Sequence, residues 1–212
     1  YVGHDNVTTK FMLRGQVDKH IDMYIGEGET SGYYIDTGSP APSYSFEKGR
    51  LTIWNNSILT DADTMNFTAK NTENIANLDN IDLYFKCEIQ FNAETCNFML
   101  GPHKYTLGTY EREVAFEVRT DGSGDHKLVT VVKDSSGTVE NTVSTLEIDT
   151  WYRLEVRYDS SESEAIFYLN DTAKSTVSDI SGLGALPPFH VRVDVNGEYT
   201  LFVQGYQAVW EW

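Results

Sequence analysis

The stretch TWYRLEVRYD, residues 150–159, decides the fold because its side chains alternate between apolar and charged. Arg153, Glu155 and Arg157 fall on one side of an extended chain, and aromatic or aliphatic residues fall on the other. A period of two residues is typical of a half-buried antiparallel β-strand, with its apolar face toward a core and its polar face toward solvent. The stretch therefore predicts one strand of a sheet that covers a core.

The same alternation recurs along the chain and predicts about a dozen strands. It is clearest over residues 83–91, 113–118 and 191–196. Further strands are predicted near residues 50–55, 65–69, 96–101, 127–133, 138–147, 164–170, 174–178 and 200–210. The first 45 residues are less regular, with strands predicted at 11–14, 21–25 and 33–35 and loops at 26–32 and 38–42.

Turn-forming residues separate the predicted strands. Clusters of Asp, Ser and Gly occupy residues 121–125, 134–137 and 159–163, and Asn196-Gly197 is the strongest short signal for a hairpin. Residues 70–80 are too polar for more than a helical turn. Short antiparallel strands without helices predict an all-β fold, an antiparallel β-sandwich of jelly-roll type. We expect it to span residues 1–212 as one domain, with residues 1–45 as a less typical N-terminal segment.

The charge of the chain excludes two classes of partner. Lys and Arg number 16 against 32 Asp and Glu, which gives a formal net charge of −16. Such a surface repels nucleic acid phosphates and anionic membranes.

No run of 18 apolar residues is present, so no membrane insertion is predicted. The acidity is typical of a soluble protein in an extracellular medium, and the start at Tyr1 favours a mature or excised piece of a longer protein.

From about residue 45 onward the sequence resembles the concanavalin A-like lectin/glucanase superfamily, in particular its laminin-G-like members. The resemblance rests on the stretch 150–159 and on FEKGRLTI (46–53), EAIFYLND (164–171) and LFVQGYQAVW (201–210). It implies a jelly-roll sandwich, in a superfamily of lectins, carbohydrate-binding modules, hydrolases, lyases, adhesion domains and viral surface parts. Many members place an Asp before the tyrosine of the last strand, near a structural calcium, whereas this chain has Gln204-Gly205 there.

The sequence contains no catalytic motif, so the chain is predicted not to be an enzyme. A retaining glycanase of this fold is expected to carry a Glu-x-Asp-x-(x)-Glu run that places two carboxylates together. Glu113 and Glu117 come nearest, but no Asp stands between them, and a solvated sheet face is the favoured interpretation. No nucleophile elbow, zinc-ligand spacing or phosphate loop is present.

A polysaccharide lyase needs a Tyr or His base beside an Arg, Gln or Asn. His190, Arg192 and Asp194 alternate on one predicted strand, but they match no lyase motif. Aromatic rings stack on the C–H faces of sugars while polar neighbours bind the hydroxyls, so a polysaccharide or glycan is the predicted partner. The predicted ligand-binding residues are Tyr105, Tyr110, Glu113, Glu117, His190, Arg192 and Asp194.

No cofactor is required by any motif, and a structural calcium is the one ion that the loops allow. Oxygen ligands cluster at Asp18/Asp22, Glu27/Glu29, Asp61/Asp63 and Asp121/Asp125. Each pair is more simply explained by turns, which Asp closes through its own backbone. Cys87 and Cys96 are either two independent buried thiols or a bridge that requires a wide loop or a bulge.

Three functions remain in competition. The first is a non-catalytic carbohydrate-binding or adhesion module of a secreted, cell-surface or virion surface protein. The second is a structural or interaction domain of a capsid, fibre or surface layer, with neighbouring subunits or domains at the termini near Tyr1 and Trp212. The third is a polysaccharide-degrading enzyme. The predicted location is extracellular, at a cell surface or at a virion surface.

Overall fold

The computed structural model describes residues 19–22, 33–37, 43–47, 50–55, 63–69, 76–106, 109–186, 190–195 and 198–211. The first strands are β1 (Lys19–Asp22), β2 (Tyr33–Thr37), β3 (Ser43–Glu47), β4 (Arg50–Asn55), β5 (Asp63–Ala69) and β6 (Ala76–Asn77). The middle of the chain forms β7 (Asp82–Ala93), β8 (Asn97–Leu100), β9 (His103–Thr106), β10 (Thr109–Thr120), β11 (His126–Lys133) and β12 (Thr138–Leu146). The last strands are β13 (Tyr152–Asp159), β14 (Glu164–Leu169), β15 (Thr172–Val177), β16 (Ala185–Leu186), β17 (His190–Val195) and β18 (Tyr199–Glu211).

The strands form two eight-stranded sheets, and every pairing is antiparallel. Sheet A has the order β15-β14-β13-β7-β18-β4-β3, with β1 added on β18. Sheet B has the order β12-β11-β10-β8-β17-β5-β2, with β9 added on β10. A short pair, β16-β6, lies apart from both. No helix occurs within these described ranges. The prediction of an all-β antiparallel sandwich is therefore confirmed.

The core lies between the sheets and is built from the alternating apolar residues. Phe91 of sheet A contacts Phe98 of sheet B with ring centroids 5.8 Å apart. Phe116 of sheet B meets Phe167 of sheet A edge to face at 5.3 Å. All four rings are almost fully buried, and aromatic contacts of this geometry add to the free energy gained from burial alone. The alternation thus fixes which face of each strand points inward.

Three of the predicted turns connect consecutive strands of one sheet, as expected. Asp121 closes the β10–β11 turn, since its Oδ1 accepts hydrogen bonds from the backbone N of Ser123 at 2.8 Å and of Asp125 at 3.1 Å. Asp134 and Asp159 do the same in the β11–β12 and β13–β14 turns. The short polar side chain replaces a missing backbone partner in each case.

The hairpin predicted at Asn196-Gly197 is wrong. The strand before it, β17, pairs with β8 and β5 in sheet B, whereas the strand after it, β18, pairs with β7 and β4 in sheet A. The chain crosses between the two layers there. The same holds for β7 and β8, which lie in different sheets although only residues 94–96 separate them.

Other expectations for the N-terminal half have mixed outcomes. The strand predicted at 33–35 lies within β2, whereas the one predicted at 21–25 shares residues 21–22 with β1 and otherwise lies outside the described residues. The helical turn that residues 70–80 could hold does not occur over residues 76–80, where the chain forms β6 and a turn, and residues 70–75 lie outside the described ranges. The predicted strand at 11–14 and the loops at 26–32 and 38–42 lie outside the described residues.

In the part of the chain that the structure describes, no helix is long and apolar enough to cross a membrane.

The two cysteines are independent buried thiols. Cys87 lies in β7 of sheet A, and Cys96 lies just before β8 of sheet B. Burial raises the pKa of both thiols, that of Cys96 to about 11. Since the thiolate is the reactive form of cysteine, neither position is suited to nucleophilic chemistry.

Gly182 is a position where an added side chain would clash with a neighbouring residue. Gly182 and Gly184 share a φ of +64°, but a Cβ on Gly182 would lie 2.6 Å from Ser135 Oγ, whereas a Cβ on Gly184 would meet nothing within 4 Å. The Ser135 hydroxyl is held by a 2.9 Å hydrogen bond to the Ser181 carbonyl oxygen.

We expect Gly182→Ala to lower the free energy of unfolding by about 2–4 kcal/mol, because backbone strain and overpacking add. Gly184→Ala is the matched control and should cost only the strain, about 1–2 kcal/mol. Urea denaturation of both variants measures the difference. Equal losses would show that the contact with Ser135 relaxes without cost.

Candidate functional site

The residues predicted to bind ligand all fall in sheet B. His190, Arg192 and Asp194 lie in β17, in register with Thr68, Asn66 and Thr64 of β5. Glu113 and Glu117 lie in β10, and Tyr110 of β10 is the direct partner of Tyr105 in β9. The side chains of Tyr105, Tyr110, His190 and Asp194 are outside the described part of the structure.

Register brings the described members of this set to one face. Arg192 is opposite Met99 of β8, and Met99 is opposite Glu117 of β10, so the three form a row across three strands. Glu113 lies four residues before Glu117 in β10, on the same face, and is opposite His103 of β9. This outer face of sheet B is the one turned away from Phe116 and the core.

The prediction that Glu113 and Glu117 lie on a solvated face is wrong, because they are only 3% and 6% exposed. Burial, reinforced by the negative charge of Glu117, raises the pKa of Glu113 to about 8. Glu113 Oε1 has no hydrogen-bond partner among the described residues. Glu117 instead bonds the Arg119 guanidinium, which also binds both oxygens of Glu140 at 2.9 Å. The two carboxyls therefore lie in different environments although they share a face.

The raised pKa of Glu113 predicts a pH-dependent contribution to stability. Between its ordinary pKa of 4.5 and about 8, the folded protein keeps a proton that the unfolded chain has released. Stability supplied by this group should therefore be lost as pH rises from about 5 to 8, by on the order of 4 kcal/mol. We expect urea denaturation at about pH 5 and pH 8 to show that the free energy of unfolding of Glu113→Gln, relative to wild type, is higher by that amount at pH 8 than at pH 5.

Asp121→Asn is the control for this titration, because Asp121 lies in the β10–β11 turn and its charge does not act on Glu113. The hydrogen bond from the Ser123 backbone N lowers the pKa of Asp121, so the stability that this carboxylate supplies is lost only as pH falls below its ordinary value of 3.8. Its difference from wild type should stay constant from about pH 5 to 8. A constant difference for Glu113→Gln as well would contradict the burial of an uncharged carboxyl.

A second surface, which sequence reasoning missed, lies on the outer face of sheet A. There an open cavity of about 230 Å³ occurs where β13 begins, next to the β14–β15 turn. Its lining combines one exposed indole with charged and amide groups. We call it the Trp151 pocket, lined by Glu88, Trp151, Tyr152, Arg153, Asn170 and Asp171.

Trp151 is held in place by the loop that precedes it. The backbone N of Asp149 donates to the Phe91 carbonyl oxygen at 2.8 Å, and Gln90 Nε2 donates to the Asp149 carbonyl oxygen at 2.7 Å. Asn92 Nδ2 reaches the Asp149 carboxylate at 3.0 and 3.1 Å. These bonds fix the loop to β7 two residues before Trp151, whose indole is 38% exposed.

The polar wall of the pocket is an ion-pair network centred on Arg153. Its Nη1 donates to both oxygens of Asp171, at 3.0 and 2.8 Å, and its Nη2 lies 3.4 Å from Glu88 Oε1. Gln204 Nε2 donates to the other Glu88 oxygen at 3.1 Å. Pairing with Asp171 raises the pKa of Arg153. The guanidinium charge is thereby matched by two carboxylates.

The turn between β14 and β15 completes the pocket. Asn170 and Asp171 are the two turn residues between the paired Leu169 and Thr172, and their φ angles are +49° and +64°. Asn and Asp accept this left-handed backbone better than other residues with side chains. Asn170 Oδ1 accepts from the Arg153 backbone N at 2.9 Å, which ties the turn to β13.

A second aromatic residue extends the surface across the sheet. Phe202 of β18 lies 6.4 Å from the Trp151 ring at an interplanar angle of 38°. The Arg50 guanidinium covers Phe202 at 4.8 Å from the ring centroid. One face of Phe202 is therefore occupied by a cation, which leaves Trp151 as the more accessible ring of the two.

A sequence signal for this surface was present. In residues 150–159, Trp151 has the same parity as Arg153 and Arg157, so the alternation assigns it to the polar face. A large aromatic residue on a solvated face is a sign of a binding surface. The pairing of Arg153 with Glu88 and Asp171 had no such signal, because the three residues lie on separate strands or turns.

The acidic pair Asp121/Asp125 has a structural role in its turn. Lys127 Nζ lies 2.8 Å from Asp125 and 3.6 Å from Asp121, so both carboxylates face a cation of the chain itself. Within the described ranges, no group of three or more His, Cys, Asp or Glu residues could hold a metal ion. The side chains of the other three predicted acidic pairs lie outside those ranges.

No protein-family model matches the chain, and no curated protein sequence matches it either. Solved structures do resemble it. The potassium-bound form of the Emp46p carbohydrate recognition domain is 6% identical with a TM-score of 0.62, over 90% of this chain and 95% of that one. The alginate lyase from Alteromonas sp.272 is 7% identical with a TM-score of 0.55, over 84% of this chain and 94% of that one.

A sialidase structure also matches, at 10% identity and a TM-score of 0.59. It covers 89% of this chain, but this chain spans only 18% of the sialidase. At these identities the likeness concerns the fold. The chain has the concanavalin A-like jelly-roll fold of these structures, which is the fold that the resemblance in the sequence implied.

Proposed function

We propose that the chain is a non-catalytic carbohydrate-binding or adhesion module that holds its glycan at the Trp151 pocket. The observation that carries the proposal is an exposed tryptophan, fixed by its loop, in the wall of a cavity whose other walls are mostly polar. A sugar ring has apolar C–H faces and a girdle of hydroxyls. An aromatic plane beside carboxylate and amide groups complements both.

The rigidity of the pocket supports this function. Binding weakens when side chains or loops must be ordered on contact, so a surface that is already fixed loses less free energy. Trp151 is fixed through Asp149, and Asp171 is fixed through Arg153. Both groups that would contact a sugar are therefore in place before the ligand arrives.

The comparisons support the same class of ligand. The Emp46p domain is described as a carbohydrate recognition domain, and the Alteromonas enzyme as an alginate lyase. Both names concern carbohydrates, although the fold alone does not transfer a function. With the acidic composition, this favours a secreted, cell-surface or virion surface protein that contacts polysaccharides.

The seven residues predicted in sheet B remain part of the proposal as a second contact surface. Arg192, in a row with Met99 and Glu117, would be the charged group of that surface. The burial of Glu113 and Glu117 favours a supporting role, in which they shape the sheet face beneath a ligand.

Polysaccharide cleavage is the second candidate function, and Glu113 is the observation that favours it. A carboxyl that keeps its proton up to about pH 8 is suited to act as a general acid, and Glu117 shares its face as a second carboxyl. Ala115 occupies the position between them, where the glycanase pattern has Asp. Incubation with the polysaccharides named below, followed by assays for new reducing ends and unsaturated uronates, distinguishes cleavage from binding alone.

The experiment that tests the proposal is a glycan array, followed by calorimetry with soluble glucan, mannan, galactan and xylan. We expect selective binding to at least one polysaccharide and no release of products. A parallel titration in EDTA tests for the structural calcium, because loss of glycan binding in EDTA would show that binding requires a divalent cation. Absence of binding to every glycan by the folded protein would contradict the proposal and favour a structural or interaction domain.

A further inference from the structure

We infer that the Trp151 pocket takes a single uncharged pyranose ring, and that it discriminates against uronates and other anionic sugars. The inference rests on the proposed function and specifies the class of ligand for the same site. It is argued from the volume of the pocket, its charge and the kind of hydrogen-bonding group that it offers.

The volume limits the ligand to about one ring. Pockets for drug-sized molecules occupy roughly 300–1,000 Å³. The Trp151 pocket, at about 230 Å³, lies below that range and is open to solvent. Trp151 is the most exposed ring of this surface, since Tyr152 packs against the core and Arg50 covers one face of Phe202. A longer chain would therefore pass over the pocket with one ring stacked on Trp151.

The charge of the pocket opposes an anion. Among the six lining residues, Arg153 is the one cation, and Glu88 and Asp171 are both anions. Arg153 is already paired with both, so the lining carries a net charge of −1 before any ligand binds. The whole chain carries −16. A ligand carboxylate would meet net repulsion from the lining, whose one cation already faces two carboxylates.

The hydrogen-bonding groups demand a ligand that donates. An ionised carboxylate only accepts, and each of its oxygens can accept more than one hydrogen bond. The Asp171 side chain is 65% exposed, and each of its oxygens accepts one hydrogen bond from Arg153 Nη1, which leaves accepting capacity toward solvent. Sugar hydroxyls donate to such oxygens, and hydrogen bonds to a charged acceptor are strong. A uronate carboxylate cannot donate there.

The test uses matched sugars. Soluble glucan, mannan and galactan are compared with the same polymers after oxidation of their C6 hydroxymethyl groups to carboxylates. We expect calorimetry to show binding to at least one neutral polymer, weakened tenfold or more by oxidation. Equal or tighter binding of the oxidised form would overturn the inference while leaving the proposed function in place. Failure to bind any of these polymers, oxidised or not, together with absence of binding to every glycan of the array, would overturn the proposed function itself.

A double variant tests the charge argument by reversing the preference. Glu88→Gln with Asp171→Asn leaves Arg153 without its two carboxylates, and Asn keeps the φ of +64° that residue 171 requires. We expect the ratio of oxidised to neutral binding to rise at least tenfold. Asp179→Asn is the control, an exposed acid outside the pocket with a similar φ of +60°, and should leave the ratio unchanged. No change in the double variant, with its melting temperature preserved, would refute the role of charge.

Discussion

Replacing Trp151 with alanine is expected to weaken glycan binding about 10- to 100-fold while the sandwich stays folded. Stacking on an aromatic plane and the apolar area that it covers together contribute roughly 1.5–3 kcal/mol. Each 1.4 kcal/mol corresponds to a factor of about ten in the dissociation constant. The loss should appear in calorimetric titration with the polysaccharide that the wild type binds.

Two further variants make this result specific. Ile148 lies in the same loop, is 45% exposed and does not line the pocket, so Ile148→Ala should bind like the wild type. Trp151→Phe keeps a smaller aromatic plane and should retain part of the affinity. If Trp151→Ala and Ile148→Ala bind equally well, the pocket is not where the glycan binds.

Replacing Asp134 with alanine is expected to cause a large loss of stability, about 2–4 kcal/mol in the free energy of unfolding. Asp134 Oδ1 accepts hydrogen bonds from the backbone N of Ser136 at 2.7 Å and of Gly137 at 3.0 Å. Its Oδ2 accepts from the Ser181 backbone N at 2.8 Å, across 47 residues of chain. Removal leaves several donors without partners at a site that is only 8% exposed.

The loss should also depend on pH. Burial alone would raise the pKa of Asp134, but hydrogen bonds from Ser136, Ser181 and Gly137 outweigh it and lower the pKa below 3.8. The carboxylate therefore stabilises the fold fully above pH 4 or so, and this contribution disappears as pH falls further. Urea denaturation at neutral and acidic pH should show the difference between wild type and Asp134→Ala shrinking in acid.

Asp125→Ala provides the control for Asp134. Asp125 is another turn aspartate, but its side chain is 56% exposed and its contact is the ion pair with Lys127. Exposed pairs of this kind contribute about 0–1 kcal/mol. If Asp134→Ala lost equally little free energy of unfolding, the hydrogen bond from the Ser181 backbone N to Asp134 would not contribute appreciably to stability.

The strands were predictable because burial on one face leaves a local trace. Strand β4 has the predicted bounds, residues 50–55, and β11 differs from prediction by one residue at its start. Layer order leaves no such trace. Asn196-Gly197 has the composition of a tight hairpin, but its flanking strands belong to opposite sheets, and only the pairing of distant strands decides that.

The candidate sites were predictable to different degrees. Alternation placed Glu113 and Glu117 on one face of one strand correctly, but their burial depends on packing that the strand itself does not encode. Trp151 stood on the polar side of its own strand and could have been recognised. Its neighbour Arg153 is paired across 65 residues with Glu88, which no local pattern contains.

The measurement that tests the central claim most directly is a nuclear magnetic resonance titration of the indole N–H groups. The chain has four tryptophans, and the Trp151 signal is assigned by its absence in Trp151→Phe. On addition of the bound polysaccharide fragment, the account predicts a saturable shift of the Trp151 indole signal, with backbone shifts at Arg153 and Asp171. A saturable shift confined to residues of sheet B, with the Trp151 signal unmoved, would contradict it.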